Sequence, residues 1–280
     1  MQQNLIIETT HLLVPIHNAL IQVLKELQSS DWNKSTLAKH WSIKDIVAHI
    51  LDTTTRGIAI LRDGHFGESG PADEAYATLV DYINQMNAEF IRTAKRWSPQ
   101  VLIELLEQSG PIHAKLLADL DPFQKATFSV AWAGEKESLN WFHAAREYTE
   151  KYHHQLQIRE AVNKTAAILT PELYRPFIQT FLLGLPHLLR NHTAPDFAII
   201  AVEIKGEMGL IQCLQYYNQQ WNLLNESPGD KLYAKTIISA DIAWKLFTKG
   251  VTPKTILSEV VLEGNQEIAF RVLHLVAVMA

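Results

Sequence analysis

Residues 37–57 read LAKHWSIKDIVAHILDTTTRG. Ile43, Ile46, Val47, Ile50 and Leu51 recur at three- and four-residue steps, which predicts an amphipathic helix. Ser42 is a natural N-cap, and Gly64 suits the position past the last turn, so the helix should run to about Asp63. His49 lies off the apolar face, in line with Asp45, Asp52, Thr53 and Arg56. Asp52 is placed to reach the second ring nitrogen of His49, the pairing that usually orients a metal-bound imidazole. The alternative for this helix alone is a solvated polar face. Arg56 either faces an anionic substrate or is a surface cation.

A second helix carries the complementary residues. The stretch VAWAGEKESLNWFHAAREYTEKYHHQLQIREAV spans residues 130–162, with Ser138 or Asn140 opening a long helix. Trp141, Ala145, Tyr148, Tyr152 and Leu156 mark its core face, and a polar stripe runs through His143, Glu147, Glu150, His154 and Gln157. Glu150 and His154 are four residues apart, so both project from one face one turn apart and can share a divalent ion. Exposed ion pairs, Arg146 with Glu150 and Glu147 with Lys151, are the competing reading. His153 is about 60° round the helix from Glu150 and is the weaker candidate ligand. With His49, Glu150 and His154 form a His₂Glu set with an open fourth position, the catalytic arrangement of a bound metal.

The rest of the chain reads outward from these two helices. Leu12, Leu13, Ile16, Leu20, Val23, Leu24 and Leu27 predict a helix over about Thr10–Leu27. Pro71 suits the first turn of a third helix, which should stop before Pro99; one or two shorter helices fill Gln100–Leu120. Residues 121–137 read as irregular. Another helix follows Pro171 and ends near Arg190. After Pro195 the pattern changes to strands, in FAIIAVEIKG and KLYAKTIIS, with two more through MGLIQCLQYYN and QQWNLL, and with Ser227–Pro228–Gly229 as punctuation. DIAWKLFTKG predicts a short helix capped by Asp241, and a last helix runs from about Asn265 to Met279. The residues alone therefore give a helical region, then a small α+β unit, with the boundary near residues 165–170.

Composition excludes several classes of function. The 280 residues are 47% hydrophobic and 20% charged, as in ordinary globular chains, and long enough to fold without disulfides or a structural metal. A net charge of −5 and no basic block leave no footprint for nucleic acid. The longest apolar runs, Phe181–Leu189 and Val272–Met279, fall well short of the roughly 20 residues of a membrane span. MQQNLIIETT lacks the pattern of a signal peptide, and the lone Cys213 fits a reducing compartment and a place in the core; a cytoplasmic location is expected. No GxGxxG, Walker, GxSxG or HExxH motif occurs.

Residues 37–57 resemble the W-[ST]-[VI]-x-D-[VI]-[VL]-x-H-[LI]-x-D signature of the DinB and mycothiol-dependent maleylpyruvate isomerase superfamily. Residues 130–162 resemble its second metal-binding helix. DIAWKLFTKG and VVLEGNQEIAFRVLHLVAVMA resemble the small sterol-carrier-like domain that accompanies the isomerases. The resemblance implies a two-domain chain. Residues 1–167 would form a DinB-like, up-down four-helix bundle that binds metal. Residues 168–280 would form a linker helix and a small α+β domain. It places the three metal ligands on His49, Glu150 and His154. It implies a divalent metal, zinc first with nickel, manganese and iron as alternatives, and a low-molecular-weight thiol such as mycothiol, bacillithiol, glutathione or coenzyme A. The expected activity is thiol transfer or isomerisation on a small electrophile, by a monomer or homodimer. A binding protein without turnover and a metal-dependent hydrolase are the alternatives. Two departures stand out: Ala38-Lys39-His40 replaces a Cys-Pro-Gly before Trp41, and Gln157 replaces an acidic residue after His154.

Overall fold

The computed structural model describes residues 6–68, 70–71, 75–225, 229 and 231–278. They fall into two compact units, one built from Thr9–Lys125 and Leu139–Ile168, the other from residues 6–8, 126–138 and Leu169–Val278. Residues 126–138 thus leave the helical unit as an excursion, closed at its neck where Lys125 and Leu139 form an antiparallel bridge.

The helical unit contains α1 (Leu13–Lys25), α2 (Ile43–Asp63), α3 (Tyr76–Ala94), α4 (Pro99–Ala118) and α5 (Asn140–Ala161). Helix α2 starts and stops where local chemistry dictates. Ser42 and Asp45 form a reciprocal capping box, and Gly64 closes the last turn in the left-handed conformation, φ 63°. Ile43, Ile46, Val47, Ile50 and Leu51 are buried against Leu20, Leu24, Leu102 and Leu106 of neighbouring helices.

Helix directions follow from side-chain contacts. Lys44 Nζ donates to the Lys95 carbonyl at the start of both α2 and α4, and His113 lies against Gly57 one helix length on, so α2 and α4 run parallel. Helix α5 runs antiparallel to α2, with Lys151 beside Thr54 and His154 beside His49. It runs parallel to α1, whose Ile16 and Ala19 carbonyls accept from Gln155 and Arg159. The helices of this unit therefore alternate in direction along the chain, and there are five of them where four were expected. Helix α3 packs on α2, runs back along it, and returns the chain to the end where α2 began.

Two expectations are corrected here. Helix α3 begins at Tyr76, not at Pro71, and residues 72–74 lie outside the described residues. A single helix, α4, fills the stretch where one or two were expected, running unbroken through Pro111 with the Ser109 hydroxyl donating to the Leu105 carbonyl. The helix after Pro171 divides at Gly184 into α6 (Pro171–Leu182) and α7 (Leu185–Leu189).

The second unit holds a mixed five-stranded sheet in the order β3-β2-β1-β4-β5. Strands β1 (Ile199–Lys205), β2 (Leu210–Tyr217) and β3 (Gln220–Leu224) form an antiparallel meander, and β4 (Ala234–Ser239) returns parallel to β1. The fifth strand, β5 (Val261–Gly264), is antiparallel to β4 and was not expected. Helix α8 (Ala240–Phe247) is capped by Ser239, two residues earlier than Asp241 would place it. Short helix α9 (Pro253–Ile256) precedes β5, and α10 (Gln266–Val272) starts at the Asn265 cap but ends well short of Met279, which lies outside the described residues. Ser227 and Pro228 of the expected turn also lie outside them. The core here is aromatic: Tyr174, Phe177 and Phe181 of α6 are fully buried, as are Trp244 and Phe247 of α8, and the Tyr174 hydroxyl donates to the Ala240 carbonyl at 2.6 Å. Cys213 on β2 is a buried free thiol.

Candidate metal centre

Helices α2 and α5 bring His49, Glu150 and His154 together, with one donor atom from each within 4.8 Å of the others. Among the described residues this is the one cluster of three such groups. His154 Nε2 lies 3.5 Å from Glu150 Oε2, and the His49 and His154 rings meet edge to face with centroids 4.7 Å apart. Trp41, at the entrance to α2, walls the site, its ring 5.0 Å from His49 and 6.2 Å from His154. Both imidazoles are 7% exposed, and Glu150 is half-buried.

Neither bland reading of the two helices survives. The polar stripe of α2 is turned inward, so that His49 and Asp52 are buried. Helix α5 is buried nearly all round despite its charge, and His143, His153, His154, Gln155, Gln157 and Arg159 are all inside. The ion pairs expected along it do not form as drawn. Arg146 engages the adjacent Glu147 at 2.9 Å and donates to His143 Nδ1, and Lys151 Nζ donates to Thr54 Oγ1 at 3.0 Å.

The electrostatics leave the trio with donors that are ready to bind a cation. Burial pulls the His49 imidazolium well below its ordinary range, and His154 adds to the effect against the opposing Glu150 carboxylate. Burial alone would raise Glu150, but the His154 hydrogen bond and the neighbouring His153, His154 and His49 outweigh it, and the group is held below the usual carboxylate range. At neutral pH the set is therefore a carboxylate with a neutral His49. Metal ligands must be deprotonated in just this way. The two imidazoles and one carboxylate suit a divalent ion of the zinc type. His49 Nδ1 is buried with no hydrogen-bond partner among the described residues. A buried polar atom left without a partner is costly unless something else engages it. The residues present fit a metal.

The supporting residues differ from expectation. No hydrogen bond joins Asp52 to His49. The Asp52 carboxylate, raised by burial and pulled back by Arg56, pairs with the Arg56 guanidinium at 2.9 Å. Arg56 is thus half of a buried-edge ion pair. The oriented imidazole is His154 instead, whose Nδ1 lies 2.9 Å from Gln157 Oε1. His153 turns its Nδ1 to the Thr149 carbonyl at 2.9 Å and takes no part in the cluster. Ala38-Lys39-His40 forms a tight turn in which Trp41 N–H donates to the Ala38 carbonyl and His40 adopts φ 68°. That left-handed conformation is one that glycine takes without strain.

A second polar layer lies one turn back along α5, toward its N-terminus. Burial lowers His113 to about 3 and His143 to about 4, while Glu147 is held at about 2, burial being overcome by Arg146, His143, His113 and Lys151. Glycine makes room for the imidazoles. A Cβ at Gly57 would fall on His113 Nε2, and one at Gly110 would come within 2.6 Å of His17 Nε2. Sequence spacing missed this layer because its members come from four helices.

A helical domain with a His₂Glu cluster between two of its helices, followed by a mixed five-stranded sheet, defines the class. The family profile for the mycothiol maleylpyruvate isomerase N-terminal domain matches residues 13–159, and the chain belongs to that family. Two solved structures share the fold. One is a histidine-to-alanine mutant of the mycothiol-dependent maleylpyruvate isomerase, with TM-score 0.53 at 10% identity, covering 86% of this chain and 88% of that one. The other is the mycothiol-dependent maleylpyruvate isomerase itself, with TM-score 0.50 at 11% identity, covering 85% and 86%. No curated protein matches the chain. No described helix is long and apolar enough to cross a membrane.

Proposed function

We propose that this chain is a divalent-metal-dependent enzyme that uses a low-molecular-weight thiol for cis-trans isomerisation or S-transfer on a small electrophile. The observation that carries the reading is the convergence of His49, Glu150 and His154 within 4.8 Å, with the carboxylate charged and His49 neutral. Membership of the maleylpyruvate isomerase family supports it. The solved proteins of similar fold are named as mycothiol-dependent, which favours a thiol cofactor here.

His49, Glu150 and His154 would hold the ion, zinc before nickel, manganese or iron. A bound divalent ion supplies a position at which a thiol, with a free pKa of roughly 8.5, is held as the nucleophilic thiolate. The protein's own contribution is to bind and to exclude water. The Trp41 ring covers the imidazoles. The Asp52–Arg56 pair, one turn beyond His49, leaves a guanidinium that is part exposed and available to an anionic substrate. The C-terminal unit is read as sterol-carrier-like on its two sequence stretches.

Elemental analysis of untagged protein tests this reading, comparing wild type with His49→Ala, Glu150→Ala and His154→Ala. About one ion per chain in wild type, lost in each variant while circular dichroism is unchanged, is the expected result. The loaded protein is then screened with mycothiol, bacillithiol, glutathione and coenzyme A against small electrophiles. Turnover without thiol would make it a hydrolase, and metal without turnover a binding protein. No metal in wild type, and no uptake of offered zinc, would overturn the reading.

A further inference from the structure

The protonation of one ligand is set from outside the trio. His154 Nδ1 lies 2.9 Å from Gln157 Oε1, one turn further along α5, and both side chains are buried. A neutral imidazole has one donor and one acceptor nitrogen, and an amide oxygen only accepts. At this distance Nδ1 donates to the amide oxygen, so Nε2 is the nitrogen left for a metal ion to engage. Nε2 is the atom that faces Glu150 Oε2, at 3.5 Å. His49 has no such guide, because its Nδ1 is buried without a partner and its ring is held by packing against Trp41.

From this geometry we infer that Gln157 is a positioning residue for the metal centre, fixing His154 as the Nδ1–H tautomer so that Nε2 is presented to the ion. The inference rests on the reading of His49, Glu150 and His154 as ligands. It also explains what a neutral side chain does at this position. A carboxylate there would pull on the Nδ1 proton and add a second negative charge to the donor set. An amide orients the ring without that charge, so Glu150 alone supplies the formal charge of the set. A metal with less donated charge is the stronger electrophile and binds an incoming thiolate more firmly. Helical spacing makes the arrangement robust, since residues three apart are neighbours on the helix surface.

The test uses the full untagged chain as wild type, Gln157→Met and Gln157→Glu, with zinc affinity measured by competition against a chromophoric chelator. Gln157→Met should bind zinc roughly 10- to 100-fold more weakly with unchanged circular dichroism. Gln157→Glu, which restores an acceptor, should bind at least as tightly as wild type. In zinc-loaded wild type, nitrogen-15 histidine spectra should show His154 protonated on Nδ1, the resonance being assigned by its loss in His154→Ala. Zinc affinity of Gln157→Met within twofold of wild type, or a proton on Nε2, would overturn the inference. If Gln157→Met does not fold, the tautomer in wild type decides alone. Wild type that binds no zinc would remove the metal reading and this inference with it; wild type that binds zinc indifferently to residue 157 would remove this inference only.

Discussion

Replacing Gly57 with alanine sets two effects of similar size against each other, and the structure decides which prevails. Glycine in the middle of a helix is about 1 kcal/mol less favourable than alanine, so at an open site the change would stabilise α2 by that much. Gly57 is not an open site. The added Cβ would fall on His113 Nε2 and within 2.9 Å of both Cδ2 and Cε1. His113 is 1% exposed and cannot swing into solvent, so the imidazole or the helix pair must shift. Overpacking of that kind typically costs about 1–3 kcal/mol. The expected net effect is destabilisation by about 1 kcal/mol. In a His113→Ala background the obstruction is gone, and Gly57→Ala should then stabilise by about 1 kcal/mol, giving a coupling of about 2 kcal/mol between the two sites. Urea unfolding of the four proteins of the cycle, followed by circular dichroism, measures it. A coupling below about 0.5 kcal/mol, the usual limit for independent sites, would refute the close packing of α2 on α4.

Acid should destabilise the metal-free protein well above the carboxylate range. Burial is the main cause that holds His17 at about 4, His113 at about 3 and His143 at about 4, all below the unfolded value near 6.5. The unfolded chain therefore takes up protons first, and stability is fully present above about pH 6.5 and lost as pH falls toward 4, by up to about 1.4 kcal/mol per unit for each group. Urea midpoints that stay level between pH 7.5 and 5.5 would contradict this. Arg56→Met strands the buried Asp52 carboxylate and should cost about 2 kcal/mol, with the further change Asp52→Asn recovering most of it; thermal unfolding of both variants reads this out, and a double variant no better than the single one would count against the pair. His40→Gly relieves a left-handed residue and should raise stability by up to about 1 kcal/mol, whereas Lys39→Gly next to it should lower it; equal effects at the two positions, by urea unfolding, would show that the turn is unstrained.

What could be read ahead of the structure was whatever is decided within a few residues. Ser42, Asp45 and Gly64 bound α2 by local hydrogen bonding, so its limits were legible to the residue. Whether one helix or two fills residues 100–120 was left open, because Pro111 weakens a helix locally, whereas the packing that keeps α4 whole is supplied by α1 and α2. Strand β5 was illegible, since VLEG is four residues with little burial to pattern it, and its partner β4 lies more than twenty residues back. At the site, the four-residue step from Glu150 to His154 was visible, as was the pairing with His49 once two helices were set side by side. The direction in which each polar stripe faces was not. Periodicity separates polar from apolar faces, but it does not say that the polar face of α5 is itself enclosed. Asp52 was misassigned for the same reason: its spacing allows contact with His49 or with Arg56, and a charged partner wins a buried carboxylate.

The placement of the trio has a mechanical side. His49 belongs to α2 and Glu150 to α5, with α3 and α4 lying between them in the chain. Anything that grips all three side chains ties together two points roughly 100 residues apart. In the chain-entropy account a covalent bridge across such a span is worth about 4–5 kcal/mol. A metal ion held there, as proposed, would act as a clasp on the whole helical unit. Loss of such an ion would loosen the helical unit as a whole, and amide exchange in α3 and α4 would be a sensitive gauge of whether the clasp is closed.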